Sequence, residues 1–256
     1  MEMDKTGRYG FVAEPFHCDF SGRLFMGHMG NHLLNAADYH SHDRGFGMAY
    51  LNTINKTWVL SRLAVEMERM PAMYAHFDVE TWVESAMRFF TNRNFKVIDS
   101  QSGEVYGYGR SVWAMIDTQT RQPVNLLEVN GGSIANYVER TKTCPIAKGS
   151  RVNCTDAGEL VAEIKTRYND IDINGHVNSV KYIEHVLDTF PVEWYQTHRL
   201  QRFEVAYVAE AHAGDTLRFY RESPDGLSFF LRVVKSDDTA SGEMEICRSM
   251  ARFVKD

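Results

Sequence analysis

Short sequence patterns occur twice along the chain in the same order, and this repetition constrains the fold more than any other feature. Three pairs of segments match, at offsets of 148, 140 and 139 residues: Gly27-His28 with Gly175-His176, Arg62-Leu63-Ala64-Val65 with Arg202-Phe203-Glu204-Val205, and Ser102-Gly103-Glu104-Val105 with Ser241-Gly242-Glu243-Met244. A shared order at a nearly constant offset is typical of an internal repeat. The sequence therefore predicts a tandem duplication of one small fold.

The two copies have the same predicted order of secondary structure. Each begins with an extended stretch (9–19 or 160–168) and continues with a helix (about 29–44 or 176–195). Alternating apolar residues then predict four strands in each copy: 58–70, 77–85, 88–98 and 104–117, and 200–211, 216–221, 228–235 and 243–254. Turn signals at 100–103, 223–226 and 237–242 separate strands. One helix followed by consecutive antiparallel strands predicts an α+β fold in which a sheet wraps around its helix.

The repeat also predicts the domain boundaries. Residues 1–130 form the first copy, and residues 159–256 form the second. The segment between them, 131–158, follows Asn130-Gly131-Gly132 and is short of strand patterning. We therefore expect 131–158 to be a linker.

Composition excludes several classes of protein. The 256 residues are 44% hydrophobic and 24% charged, as in a soluble globular protein. No apolar run reaches the roughly 20 residues that a membrane-spanning helix needs, and the polar first ten residues do not resemble a signal peptide. A net charge of −6 argues against general nucleic-acid binding. We therefore expect a cytoplasmic protein without membrane or nucleic-acid partners.

The four cysteines and the clustered histidines do not predict a metal site. The cysteines are widely spread, without a Cys-x-x-Cys pair, and are expected to be reduced. His28 and His32 have the helical spacing of a zinc pair, but no glutamate completes a zinc-binding motif around them. We predict that His28, His32, His40 and His42 are ordinary helix-surface residues, and we expect no cofactor.

The segment Asp172-Ile173-Asn174-Gly175-His176 is the strongest candidate for a site. If it is extended, Asp172, Asn174 and His176 share one face, because side chains two residues apart point the same way. They would meet at a helix N-terminus, where a carboxylate, a carboxamide and an imidazole could move protons and stabilise an oxyanion. On the residues alone a structural alternative stays open, since Asp and Asn also form turns and helix caps.

Taken together, these motifs resemble the acyl-acyl carrier protein (acyl-ACP) thioesterases of plants and bacteria, which are double hotdog enzymes. The resemblance covers the chain from about Gly10 to the C-terminus. The segments that carry it are Asp172-x-Asn174-x-His176-Val177-Asn178, Val180-Lys181-Tyr182-Ile183, Thr57-Trp58-Val59-Leu60-Ser61-Arg62, Thr81-Trp82-Val83 and Ser111-Val112-Trp113. It implies a tandem (double) hotdog, each half a central helix wrapped by an antiparallel sheet.

The resemblance also implies which residues form the active site. The family's Asp, Asn and His correspond to Asp172, Asn174 and His176, and its glutamate on a later strand corresponds to Glu210. Plant members commonly have a cysteine after that glutamate, where this chain has Ala211, so a cysteine nucleophile is excluded there.

The first half is expected to be non-catalytic and to hold the acyl chain. His28 aligns with His176, but Arg23-Leu24-Phe25-Met26 stands where the acid and the amide would be required. In this interpretation Leu33, Ala37 and Trp58 line an acyl-chain tunnel. The alternative is that these apolar residues are simply core.

The implied function is hydrolysis of fatty acyl-ACP, which releases free fatty acid and holo-carrier protein. Acyl carrier protein would be the partner, and the lack of a plastid transit peptide favours a bacterial cytoplasmic enzyme. Water activated by Glu210 or His176 would attack while Asn174 holds the carbonyl, with Asp172 either orienting His176 or attacking directly. One alternative is an acyl-CoA thioesterase, and another is a non-catalytic acyl-binding hotdog sensor. The sequence leaves a homodimer open.

Overall fold

A computed structural model describes residues 4–237 and 242–255 of the chain. Two compact units are formed, Met1–Lys148 and Gly149–Asp256, so the boundary lies inside the predicted linker 131–158. The first part of that segment packs on the first unit, where Val138 bridges to Val83 and Cys144 contacts Trp82. Residues 238–241, most of the turn predicted at 237–242, lie outside the described residues. Within the described ranges no helix has the length and apolar character to cross a membrane.

The first unit pairs one long helix with an antiparallel sheet. Its elements are β1 (Thr6–Val12), α1 (Met26–His42), α2 (Met48–Thr53), β2 (Lys56–Met67), β3 (His76–Ala86), β4 (Phe90–Asp99) and β5 (Val105–Asp117), with 3-10 segments at Pro15–His17 and Val129–Tyr137. The sheet order is β1-β3-β4-β5-β2. Helix α1 contacts β1 and β3 and buries Met29, Leu33, Ala36 and Ala37, a spacing that forms one apolar face.

The second unit repeats this arrangement. Its elements are β6 (Glu159–Lys165), a 3-10 turn (Tyr168–Asp170), α3 (Ser179–Leu187), α4 (Val192–Tyr195), β7 (His198–Tyr207), β8 (Thr216–Glu222), β9 (Ser228–Asp237) and β10 (Gly242–Lys255). The sheet order is β6-β8-β9-β10-β7. Helix α3 buries Val180, Tyr182, Ile183 and Val186.

The strand order and register of the two units agree, and they confirm the predicted duplication and α+β class. Read from β1 or from β6, the strands follow each other in the same sequence. Leu63 lies opposite Ser111 in the first sheet, and Phe203 lies opposite Ala251 in the second. Both members of the second pair are 140 residues beyond those of the first, so the offset of 140 is the true register of the sheets.

Three predicted elements differ from the structure. The single helix predicted at 176–195 is two helices, because Pro191 lacks a main-chain N–H and disfavours helical backbone at the residue before it. Helix α3 begins only at Ser179, where the Asn178 side chain accepts the Val180 N–H (2.9 Å). The strand predicted at 200–211 ends at Tyr207, and α2 was not predicted at all.

The prediction of helix-surface histidines is wrong for two of the four residues. His40 is only 1% exposed, and its ring Nε2 lies 3.0 Å from the Lys5 carbonyl oxygen. The His32 ring nitrogens are shielded from solvent and have no hydrogen-bond partner in the described part of the chain, with Phe11 and Phe77 packed around the ring. Burial lowers the pKa of His32 to about 4 and that of His40 to about 2. His42 is exposed, as predicted.

Acid should therefore destabilise the protein before its carboxylates titrate. The folded-state pKa of His32 is lowered, so the unfolded chain takes up the proton and stability is lost as pH falls below 6.5. We expect His32→Leu to reduce the loss between pH 7 and pH 5 by about 1 kcal/mol, measured by chemical denaturation. His42→Leu, on the exposed side of the same helix, should leave the pH dependence as it is. Equal pH dependence in the wild type and His32→Leu would contradict the assignment.

Candidate active site

The candidate motif forms a tight turn between the 3-10 turn and α3. Ile171 and Val177 form an antiparallel bridge across it. The Asp172 N–H donates to the His176 carbonyl (2.8 Å), and the Gly175 N–H donates to the Asp172 carbonyl (3.0 Å). The predicted extended conformation is thus wrong, because Gly175 adopts a φ of 80°, which reverses the chain and favours glycine.

The Asp172 carboxylate organises this turn. Its Oδ1 accepts the main-chain N–H groups of Asn174 (2.8 Å) and His176 (3.3 Å), a pattern that Asp often forms with the main chain two residues on. Asn174 is exposed near the tip of the turn. Asp172, Asn174 and His176 therefore share one loop, but the predicted common face of an extended segment is not what places them together.

Glu210 meets His176 from the segment that follows β7. It lies three residues beyond the end of that strand, so the expected position inside a strand is wrong. Glu210 Oε2 is 3.3 Å from His176 Nε2, and the two side chains are 38% and 24% exposed. The Val177 N–H donates to the Ala211 carbonyl (2.8 Å) and holds the segment against the turn. A carboxylate beside a half-open imidazole can take up and release protons.

His212 also contacts His176, and sequence reasoning missed it. The two rings pack edge to face, with centroids 5.1 Å apart. The His212 N–H donates to Asp215 Oδ2 (2.9 Å), which also accepts from Lys235 Nζ (2.8 Å). The only signal in the sequence was a titratable residue two positions after Glu210.

Asp170 and His185 fix the turn to the helix that follows it, and they too were missed. Asp170 Oδ1 lies 3.0 Å from His185 Nε2 on α3. Its Oδ2 accepts the Arg167 N–H (2.7 Å), and its carbonyl accepts the N–H of Asn178 (2.8 Å), the residue that caps α3. Asp170 therefore sets where the candidate loop begins and where it ends.

The first unit contains a second turn with the same hydrogen bonds. Asp19 Oδ1 accepts the N–H groups of Ser21 (2.8 Å) and Arg23 (3.3 Å), just as Asp172 does for Asn174 and His176. The main-chain bonds recur as well: Asp19 N–H to the Arg23 carbonyl (2.8 Å), Gly22 N–H to the Asp19 carbonyl (2.9 Å) and Leu24 N–H to the Pro71 carbonyl (3.0 Å). Gly22 has a φ of 72°. The two turns are thus the same structure, 153 residues apart.

This match corrects the sequence alignment of the two copies. Arg23, and not His28, stands at the position of His176, while His28 lies inside α1 and stacks on His17. The prediction that the first copy has lost the acid is wrong, since Asp19 keeps it. Ser21 and Met70 stand at the positions of Asn174 and Glu210, because Pro71 accepts the bond that Ala211 accepts.

Comparison with known proteins matches both halves of the chain. The family model for the acyl-ACP thioesterase N-terminal domain covers residues 11–129, and the model for the C-terminal domain covers residues 155–249. A solved acyl-ACP thioesterase from Bacteroides thetaiotaomicron is 52% identical over 98% of both chains, with a TM-score of 0.89. The chain belongs to the acyl-ACP thioesterase family. The predicted family and the predicted double hotdog fold are both confirmed.

Plant members of the acyl-ACP thioesterase family are more distant relatives. An oleoyl-acyl carrier protein thioesterase of Arabidopsis thaliana is 30% identical over 81% of this chain, and a dodecanoyl-ACP hydrolase of Cinnamomum camphora is 29% identical over 73%. The chain spans 61% and 52% of the lengths of these two proteins. The 12:0-ACP thioesterase of Umbellularia californica, at 22% identity and a TM-score of 0.84, has the same fold.

In this acyl-ACP thioesterase family member the cysteines are poor nucleophiles. Ala211 is fully buried at the position where plant members commonly have a cysteine. Burial raises the pKa of the Cys18, Cys144 and Cys247 thiols, and raises that of Cys154 to about 11. A raised pKa leaves little reactive thiolate at neutral pH.

Cysteine alkylation should consequently leave the active site intact. We expect iodoacetamide treatment of the native protein to retain most of the wild-type turnover, because these thiols are protonated and lie outside the candidate loop. Mass spectrometry of the treated protein identifies any alkylated position. Complete inactivation that substrate prevents, with the label on a single cysteine, would contradict this expectation.

Proposed function

We propose that this protein hydrolyses the thioester of fatty acyl-ACP and releases free fatty acid and holo-carrier protein. The observation that carries the proposal is the His176–Glu210 pair, 3.3 Å apart beside the loop that presents Asn174. The first unit keeps the same backbone turn but has Arg23 and Met70 at these two positions. Membership of the acyl-ACP thioesterase family supports the acyl-ACP substrate.

The pair suits the activation of water. In the proposed step His176 or Glu210 takes a proton from a water molecule, whose oxygen attacks the thioester carbonyl carbon. The carbonyl oxygen becomes negative and is held by the Asn174 carboxamide and by main-chain N–H groups near the start of α3. The carbon–sulfur bond then breaks, and the carrier's sulfur takes the proton back. Glu210 stabilises the protonated imidazole during this exchange.

Two alternatives differ from the proposal in ways that one experiment separates. An acyl-CoA thioesterase would share the chemistry but not the carrier, and a non-catalytic acyl-binding sensor would release no thiol. We expect thiol release from acyl-ACP at a higher kcat/KM than from the acyl-CoA of the same chain. A higher value for acyl-CoA would favour the first alternative, and binding without thiol release would favour the second.

The first unit is proposed to hold the acyl chain. Leu33 and Ala37 lie on the buried face of α1, and Leu33 packs beside Gly109 of β5. Trp58 is half-buried and donates its Nε1–H to the Phe46 carbonyl (2.8 Å). An apolar helix face over a glycine suits an alkyl chain, because apolar burial stabilises each methylene by about 0.8 kcal/mol. The simpler role of these residues as core stays the alternative.

We further propose a bacterial cytoplasmic enzyme with acyl carrier protein as its partner. The family supports the carrier protein as substrate. Location and assembly as a homodimer remain predictions, to be checked by cell fractionation and by light scattering of the purified protein.

Loss of the His176 imidazole should abolish most of the turnover. We expect His176→Ala to lower kcat by at least about 100-fold, the lower limit for removing a general acid or base. Arg23→Ala is the matched control, because Arg23 has the same backbone position in the first unit, and it should stay within a few-fold of wild type. Steady-state thiol release measures both. Similar losses in the two variants would contradict the proposed division of labour.

Narrowing the proposed tunnel should shorten the preferred acyl chain. Ala37→Val adds two carbons to the buried face of α1, so room for about two methylenes is lost. We expect the relative specificity for long over short chains to fall by about tenfold. Asn35→Val adds the same side chain to an exposed position and is the control. Fatty acid profiles from mixed acyl-ACP substrates give the measurement; an unchanged profile in a stable Ala37→Val would place the tunnel elsewhere.

A further inference from the structure

The Asp172 carboxylate faces the main chain of its own loop. Among the described residues, both hydrogen bonds to this side chain come from main-chain N–H groups, those of Asn174 and His176. The two bonds share Oδ1 and close the turn. A carboxylate that accepts main-chain N–H groups is stabilised as an anion, which makes it a weaker nucleophile and a weaker base.

The first unit provides an independent test of what this aspartate does. Asp19 accepts the same two N–H bonds at the same two lengths, 2.8 and 3.3 Å. Yet this unit has Ser21, Arg23 and Met70 where the second unit has its carboxamide, imidazole and glutamate. An aspartate that persists beside such replacements is doing something other than chemistry on a thioester.

We propose that Asp172 is a positioning residue, which shapes the loop that carries Asn174 and His176 and does not attack the thioester. The inference rests on the proposed hydrolysis and assigns the nucleophile within it. Closing the turn sets the His176 main chain, so that its ring reaches Glu210. The attacking oxygen is then that of water, which loses its proton to the His176–Glu210 pair as its bond to the acyl carbon forms. No acyl group is transferred to Asp172.

Substitutions at Asp172 that keep or remove the acceptor separate the two roles. Asn and Ser can both accept a main-chain N–H in this turn, but neither can form an anhydride with the acyl group. We expect Asp172→Asn and Asp172→Ser to keep kcat within about tenfold of wild type, with an unchanged pH profile. Asp172→Ala should lose about 100-fold in kcat, with a smaller change in KM. If Asn and Ser fall as far as Ala, the proposal is overturned.

Matched substitutions at Asp19 control for general effects on the turn. Asp19→Asn and Asp19→Ala change the same hydrogen bonds in the unit without the imidazole and glutamate, and turnover should stay within a few-fold of wild type. A 100-fold loss in Asp19→Ala would show that the turn matters for folding as a whole, and would overturn a specific role for Asp172 in placing His176.

Isotope labelling locates the attacking oxygen directly. In a single turnover in H₂¹⁸O, attack by water puts ¹⁸O into the fatty acid and leaves Asp172 unlabelled. Attack by Asp172 followed by hydrolysis at its own carboxyl carbon puts ¹⁸O into the peptide that contains Asp172, which mass spectrometry detects. Label in that peptide would overturn the proposal.

A readout that needs no turnover keeps this inference distinct from the proposed function. If wild type releases no thiol from any acyl-ACP, the proposed function fails, but the role of Asp172 is still measurable by NMR. The amide signals of Asn174 and His176 should move strongly in Asp172→Ala and little in Asp172→Asn. Equal movement in the two variants would overturn the positioning role, whatever the activity.

Discussion

The hydrogen bond from the Val177 N–H to the Ala211 carbonyl is the contact on which the candidate site depends. It joins two segments that are distant in sequence, the turn before α3 and the segment after β7. One segment carries His176 and the other carries Glu210 and His212. Since the bond is made by the main chain, it places these side chains without depending on their identity. Its counterpart between Leu24 and Pro71 holds the first unit in the same way.

Much of the fold could be predicted from the sequence because its signals are periodic. Alternation of apolar residues predicted the long strands, and the Arg62 and Arg202 segments gave the true offset of the sheets. The helix break was within reach, since Pro191 interrupts the predicted helix. The family resemblance depended on the Asp172 motif and the strand segments, and it led to Glu210, which alternation alone would have assigned to a solvent-facing strand.

The rest of the site could not be predicted because it depends on backbone conformation and on loop length. A short Gly-His match aligned His28 with His176, whereas the turns themselves correspond at an offset of 153. The loops of the two copies differ in length, so no single offset applies to the whole chain. The positive φ of Gly175 turned an expected extended segment into a turn. His212 and the Asp170–His185 pair are brought in by tertiary packing, which periodicity does not encode.

The duplicated turn also has a consequence for how such a chain diversifies. Its hydrogen bonds come from one aspartate and from main-chain N–H groups, so the side chains at positions 21, 23 and 70 are free to vary while the backbone stays in place. The chemistry of one copy could therefore change without any cost to its shape. The first unit retains a ready backbone for a second site, which only three substitutions, Ser21→Asn, Arg23→His and Met70→Glu, would supply with the side chains of the first.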